Sequence, residues 1–210
     1  MAHFVKICGV TSLEDAQCVI EARADALGLI FAPSPRQLSL EQASELAEAT
    51  KGQILRVGVF RDNAVKFICD ALDATGVEVA QVHGDLSSEL VSELRDRGVA
   101  IIKAVVVGSE EFVVFDEHLV DAILVDGPRP GSGDPHTWSD VSQRHFQRPL
   151  IAAGGLNPAN VSDVLAMTGA WGADVASGVE MTPGRKDPRR VRDFVASALA
   201  FFEHPEESRD

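Results

Sequence analysis

No stretch of the 210 residues approaches the roughly 18–20 consecutive apolar side chains that span a bilayer; runs such as Ala104–Val107 and Ala122–Val125 are strand-sized. That argues against a membrane protein. Basic residues are also short: 19 Lys and Arg stand against 32 Asp and Glu, a formal charge of −13, with no basic stripe. Nucleic-acid affinity rests on clustered cations that neutralise phosphates, so no nucleic-acid partner is expected. Cysteine is scarce: Cys8, Cys18 and Cys69 are odd in number and irregular in spacing, which fits neither a disulfide framework nor a Cys-x-x-Cys metal site. Reduced thiols are expected. His3 to Lys6 enters a strand-like pattern without the charged and apolar regions of a signal peptide, so the cytoplasm is the expected compartment. The interior holds no linker, low-complexity segment or charge block. The expectation is one domain over residues 1–203, with 204–210 as a tail.

What is present is a repeated alternation of short apolar runs and longer amphipathic stretches. The strand and helix pairs are His3–Cys8 with Ser12–Arg23, Ala26–Phe31 with Ser39 or Leu40 to Ala49, Ile54–Phe60 with Ala64–Leu72, and Val77–Val82 with Leu86–Asp96. Then come Ala100–Val107 with Ser109–Glu117, Ala122–Val125 with Trp138–Arg144, Leu150–Ala153 with Pro158–Met167, and Ala173–Ala176 with Pro188–Phe202. Strands that read as nearly continuous Val, Ile and Leu belong to a parallel sheet buried on both faces. Eight such units joined by right-handed crossovers close into an α/β fold, a single (β/α)8 TIM barrel. The rival, a flavodoxin-like open sheet, must place three surplus units.

In a barrel, functional residues lie at the C-terminal strand ends and in the loops that follow. Polar residues there are Lys6 and Cys8 on strand one, Gln81 and His83 on strand four, Lys103 on strand five and Asp126 at the end of strand six. Buried polar groups must pair with one another or with a ligand. Cys8 is either a small core residue or a thiol that the neighbouring Lys6 helps to ionise. Asp126 is either a catalytic acid or a cap on the following loop, and His83 either a satisfied core histidine or a ligand-orienting group. Gly154-Gly155-Leu156-Asn157-Pro158 after strand seven and Ser177-Gly178 after strand eight are either tight turns or backbone amides open to a phosphate, with Asn157 and Pro158 starting the next helix. Arg36, in Pro33-Ser34-Pro35-Arg36, is a solvated surface residue or a carboxylate contact. Gly131-Ser132-Gly133 reads as a loop able to close over a site.

Taken together, these segments resemble the phosphoribosylanthranilate isomerase family. The resemblance is carried by Lys6-Ile7-Cys8-Gly9-Val10-Thr11, Gly28-Leu29-Ile30-Phe31 with Ser34-Pro35-Arg36, Val57-Gly58-Val59-Phe60 and Gln81-Val82-His83-Gly84. It continues through Leu124-Val125-Asp126, Gly154 to Val161, Asp174 to Glu180 and Pro183 to Asp187, in order across seven of the eight units. The resemblance implies an Amadori rearrangement of a small anionic aminoaldose phosphate, with no cofactor and no metal. It places the general base on Cys8, the general acid on Asp126, the anthranilate-carboxylate contact on Arg36 and the phosphate amides on Gly155 and Ser177-Gly178. An acid role requires Asp126 to keep its proton near neutrality, through burial or a negative substrate, while Lys6 is expected to favour the Cys8 thiolate. The chain departs from the family at Ala32, at 134–137 and at Ala176. Alternatives are an isomerase of a related aminoaldose with two phosphates and a non-catalytic sugar-phosphate binder. A monomer is expected, with a dimer as the alternative.

Overall fold

The structure, a computed structural model, describes residues 3–113, 115–127 and 135–204. Eight parallel strands close into a barrel in sequence order: β1 (Phe4–Cys8), β2 (Ala26–Ile30), β3 (Leu55–Arg61), β4 (Val79–His83), β5 (Ala100–Val106), β6 (Ala122–Asp126), β7 (Leu150–Ala153) and β8 (Gly172–Val175). Around it run α1 (Leu13–Glu21), α2 (Leu40–Ala49), α3 (Val65–Thr75), α4 (Ser88–Asp96), α5 (Glu110–Val113), α6 (Pro135–Gln143), α7 (Val161–Thr168) and α8 (Pro188–Glu203). A short hairpin, β9 (Glu180–Thr182) and β10 (Arg185–Lys186), sits between β8 and α8. Ser12, Ser39 and Ser87 start α1, α2 and α4 by accepting hydrogen bonds from the backbone three residues on, and Gln42 completes a capping box with Ser39.

Beyond shifts of up to three residues at other helix ends, such as α6 starting at Pro135 rather than Trp138, two expected helices differ for a visible reason. The segment after β5 forms only the single turn of α5, followed by a 3-10 turn at Glu117–Leu119, because Asp116 caps the backbone N–H of His118 and starts a new turn. The seventh helix begins at Val161 instead of Pro158. Asn157 accepts from the Ala159 N–H at 2.8 Å, and Asn160 accepts from the Asn157 N–H at 2.8 Å, which builds a separate turn ahead of the helix. The Gly131–Gly133 loop and residues 205–210 of the expected tail lie outside the described residues.

Strand alternation divides the core into two layers. One face of the sheet packs on the helices through residues such as Ile7, Leu29, Ile101 and Val125, and the other fills the barrel with small and branched side chains such as Val57, Ile102, Leu124 and Ile151. Phe4 and Trp171, stacked at 5.4 Å, join this inner layer. At the N-terminal ends of the strands a carboxylate recurs immediately before β2, β4 and β6. Asp25 accepts from the Val5 N–H at 2.8 Å and donates its own N–H to the Val5 carbonyl at 2.9 Å; Asp121 does the same with Ile101, at 2.8 and 2.9 Å. Glu78 repeats the pattern on Arg56 at 3.1 and 3.2 Å. Each carboxylate thereby satisfies a strand N–H that the parallel ladder leaves over.

Removing such an acceptor leaves a part-buried donor without a partner. Asp25→Ala and Asp121→Ala are each expected to lower the unfolding free energy by about 1–3 kcal/mol, additively, because they latch different strand pairs. Urea titration of the two single variants and the double variant checks this; losses under about 0.5 kcal/mol in both would show the latches to be dispensable.

Candidate active site

Cys8, His83 and Asp126 are the final residues of β1, β4 and β6, so the barrel brings three side chains from distant parts of the chain to one mouth. With Arg36, Gly154, Gly155 and Ser177 they line a cavity of about 280 Å³ at the C-terminal end of the strands. Ala32 and Ala176 line it too. Gly178 does not. A β-carbon there would collide with the Leu156 carbonyl, so this glycine lets the loop after β8 pack against the loop after β7.

Lys6 lies two residues before Cys8 on the inward face and is wholly buried. Its register partner on β8 is Asp174, and the two form an ion pair at 2.7 Å. Across the other edge of β1, Cys8 pairs with Gly28; a β-carbon on Gly28 would lie 2.8 Å from Cys8 Sγ and 3.3 Å from Lys6 Nζ. The missing side chain is therefore the space that the thiol and the ammonium occupy. Burial alone would pull Lys6 down, but Asp174 and the Cys8 sulfur outweigh it and hold the ammonium above its ordinary range. Cys8 departs from expectation. Lys6 does favour the thiolate, but burial is the larger effect and Asp174 adds to it, so the thiol is pushed above its ordinary value of 9.0.

Asp126 is shifted in the direction an acid would need, although at neutral pH it stays mostly ionised. Burial, reinforced by the negative charge of Asp174 and only partly offset by Arg61, raises its carboxyl from 3.8 to about 6. Gly154, at φ +84°, is what admits this carboxylate: any β-carbon there would strike Asp126 Oδ1 and the Gly127 amide. His83 is driven the other way, to about 4, chiefly by burial and then by Arg61, so its imidazole is neutral. Its Nε2 lies 3.0 Å from the Gln81 side-chain amide.

Arg36 lines the cavity and is paired rather than freely solvated. Its Nε and Nη2 donate to the two oxygens of Glu180 at 2.7 and 2.6 Å, and Glu180 in turn binds Lys186 Nζ at 3.0 Å. The backbone amides of Ser177 and Gly178 open the single 3-10 turn Ser177–Val179 ahead of its first internal hydrogen bond, where N–H groups are free for an anion. Lys103 corrects the interior reading. It shares the outer face of β5 with Ile101 and Val105, and its ammonium bonds the Gly84 carbonyl and Glu111, 3.0 Å away. Among the described residues, no group of three His, Cys, Asp or Glu side chains is placed to hold a metal, and no helix is long and apolar enough to cross a membrane.

Sequence reasoning missed Asp174, Glu180 and Lys186. Asp174 was accessible in principle, since a charged residue in strand eight at the register of Lys6 has to meet it. Glu180 and Lys186 were not, because nothing local signals that a hairpin folds back over β1 and the second loop.

A family model described as N-(5'-phosphoribosyl)anthranilate isomerase matches residues 5–197. Proteins of that name from Oceanobacillus iheyensis and Geobacter sp. are 36% identical over 199 residues and 37% over 200; each alignment covers 92% of this chain and 96% or 97% of the relative. Among solved structures, the phosphoribosylanthranilate isomerase of Thermotoga maritima superimposes with a TM-score of 0.83 at 35% identity, covering 94% of this chain and 99% of that one. A second, solved with reduced 1-(o-carboxyphenylamino)-1-deoxyribulose 5-phosphate, gives 0.81 at 33%, with coverage of 94% and 99%. With likeness running nearly end to end in both sequence and fold, this chain belongs to the phosphoribosylanthranilate isomerase family.

Proposed function

We propose that the chain isomerises N-(5'-phosphoribosyl)anthranilate to 1-(o-carboxyphenylamino)-1-deoxyribulose 5-phosphate, an Amadori rearrangement on the route to tryptophan, with Cys8 as base and Asp126 as acid. The observation that carries this reading is the pair itself: two proton-transfer groups three strands apart around the barrel, facing one cavity between a guanidinium and two glycine-bearing loops. Asp126 gives its proton to the ribose ring oxygen as the bond from that oxygen to C1 breaks and the anthranilate nitrogen forms a C=N bond. Cys8 thiolate then takes the C2 proton to give an enolamine. Loss of the C2 hydroxyl proton and gain of one at C1 complete the aminoketose, and proton exchange between Cys8 and Asp126 restores the pair. Arg36 receives the anthranilate carboxylate, and the Gly154-Gly155 and Ser177-Gly178 amides receive the phosphate, while neutral His83 offers a ring nitrogen to the sugar hydroxyls. All of these residues come from one chain, so the reading needs no second copy, although the Thermotoga maritima relative is described as dimeric.

Cys8→Ala and Asp126→Asn are each expected to lower kcat by about 10³-fold while changing the affinity for the reduced product analogue by less than about threefold. Fluorescence decay of freshly made substrate and titration with the analogue check this; a variant that retained wild-type kcat would remove its residue from the mechanism.

The resting protein at neutral pH holds a Cys8 thiol and a mostly ionised Asp126, whereas the working form is thiolate and acid. Both forms carry the same number of protons. The working fraction is therefore constant between the two pKa values and falls on either side of them. Below about 6 the pair gains a second proton and the thiolate is lost; above the raised thiol value both protons are gone and the acid is lost. The expected kcat/KM profile is a bell with an acid limb near 6 and an alkaline limb above 9.0. An acid limb below about pH 4.5, in the range of an ordinary carboxylate, would separate Asp126 from the reaction.

Holding that acid costs stability. A rise from 3.8 to about 6 corresponds to about 3 kcal/mol of penalty on the ionised form, absent below pH 3.8 and complete above about 6. Asp126→Asn is therefore expected to be more stable than wild type by about 1–3 kcal/mol at pH 7, a gain that disappears by about pH 4. Urea titrations at the two pH values check the sign.

A further inference from the structure

We infer that Glu180 and Lys186, on the hairpin that follows β8, are positioning residues: they aim the Arg36 guanidinium into the cavity and thereby set the preference for a substrate that carries a carboxylate. The inference rests on the proposed pairing of Arg36 with the anthranilate carboxylate.

Two constraints hold Arg36. Its aliphatic stem lies across Gly9, the residue after Cys8, where φ is +72° and a β-carbon would collide with Arg36 Cδ. Its head is clamped side-on, because Nε and Nη2 meet the two Glu180 oxygens and so fix the guanidinium plane. That leaves both N–H groups of Nη1 and one of Nη2 for a ligand. Glu180 is itself immobilised. Its side chain is 4% exposed, and Lys186, fully buried, donates to Glu180 Oε1 at 3.0 Å, to the Cys8 carbonyl at 2.6 Å and to the Ala176 carbonyl at 3.2 Å. All three ammonium N–H groups are thus used. One cation thereby ties together the carboxylate contact, the strand end that carries the base and the loop that carries the phosphate amides.

The charges support the same reading. Arg36 and Lys186 are positive and Glu180 is negative, so the triad carries one positive charge beyond balance beside a cavity. A carboxylate is the ligand that completes it. Burial pushes the Glu180 carboxyl up, but Arg36 and Lys186 outweigh burial and hold it below its ordinary range, so Glu180 stays ionised across the working pH; burial pulls the Lys186 ammonium below its ordinary range, against the opposing pull of Glu180. An uncharged side chain of the same shape keeps a hydrogen bond to Arg36 but loses the two-oxygen anionic fork.

The test compares two probes on wild type, Glu180→Gln, Glu180→Asp and Lys186→Met: the reduced product analogue and its N-phenyl counterpart without the carboxylate. Wild type is expected to prefer the carboxylate-bearing probe by about 100-fold, and Glu180→Gln to lose about tenfold of that preference while binding the N-phenyl probe as wild type does. KM should rise about tenfold in Glu180→Gln, with kcat falling less than about threefold, and Glu180→Asp should recover part of the preference. Lys186→Met, which frees the Cys8 and Ala176 carbonyls as well, should lower kcat in addition. Equal weakening of both probes by Glu180→Gln would mean a structural role and overturn the inference, as would an unchanged preference. If wild type itself showed no preference, the failure would lie with the Arg36 contact in the proposed function, and the inference would fall with it.

Discussion

A charge inside a closed barrel has no water to turn to, so its counter-charge must come from a neighbouring strand. Lys6 and Asp174 meet this constraint as direct register partners on β1 and β8, 2.7 Å apart. Much else in the mouth follows from that pairing. Asp174, held beside Lys6, is the negative neighbour that helps keep a proton on Asp126, while Lys6 is the positive neighbour that limits how far burial raises Cys8. Breaking the pair from either side would strand the other charge in the barrel and remove one of these effects.

The two ionic systems of the site do different work. Lys6 with Asp174 is neutral as a unit, with Asp174 in the cavity wall and Lys6 buried behind it, where the pair biases proton affinities. Arg36, Glu180 and Lys186 form a unit with one surplus positive charge beside the cavity, where an anion can reach it. In the proposed mechanism, proton transfer draws on the first and substrate orientation on the second. Gly28 and Gly154 make both compatible with dense packing, since each leaves out a side chain where a functional atom has to fit: Cys8 Sγ against Gly28 and Asp126 Oδ1 against Gly154.

The barrel was legible because its signal is redundant. Eight apolar runs at regular spacing tolerate an error such as the helix expected over Ser109–Glu117, which forms only one turn. Cys8, Asp126 and His83 were legible because a polar residue closing an apolar strand has few reasons to be there. Lys103 misled for the opposite reason: it lies in mid-strand, and alternation puts it outward with Ile101 and Val105, where a lysine can reach Glu111 at the rim of the next helix. The raised Cys8 thiol was not legible, because sequence shows the neighbouring cation but not the depth of burial that outweighs it. Glu180 and Lys186 were hidden by their location in a hairpin whose partners are 144 and 178 residues away in sequence.

A formal charge of −13 would be a poor start for a protein that has to hold a phosphate and a carboxylate, if charge acted as a sum. It does not. At physiological ionic strength the screening length is about 8 Å, so carboxylates on the outer helices barely reach the barrel mouth, while buried and partly buried groups in the cavity wall are screened much less. There the local inventory is Arg36 and Lys186 against Glu180, Lys6 against Asp174, and Arg61 at the rim against Asp126. That inventory is positive by one when Asp126 is ionised and by two when it is protonated. Substrate anions arriving at such a site favour the protonated acid, since each negative charge raises the cost of ionising Asp126. Binding and activation of the acid are thus coupled. The ligand that the surplus positive charge attracts is also the one that shifts Asp126 toward the form the proposed mechanism uses.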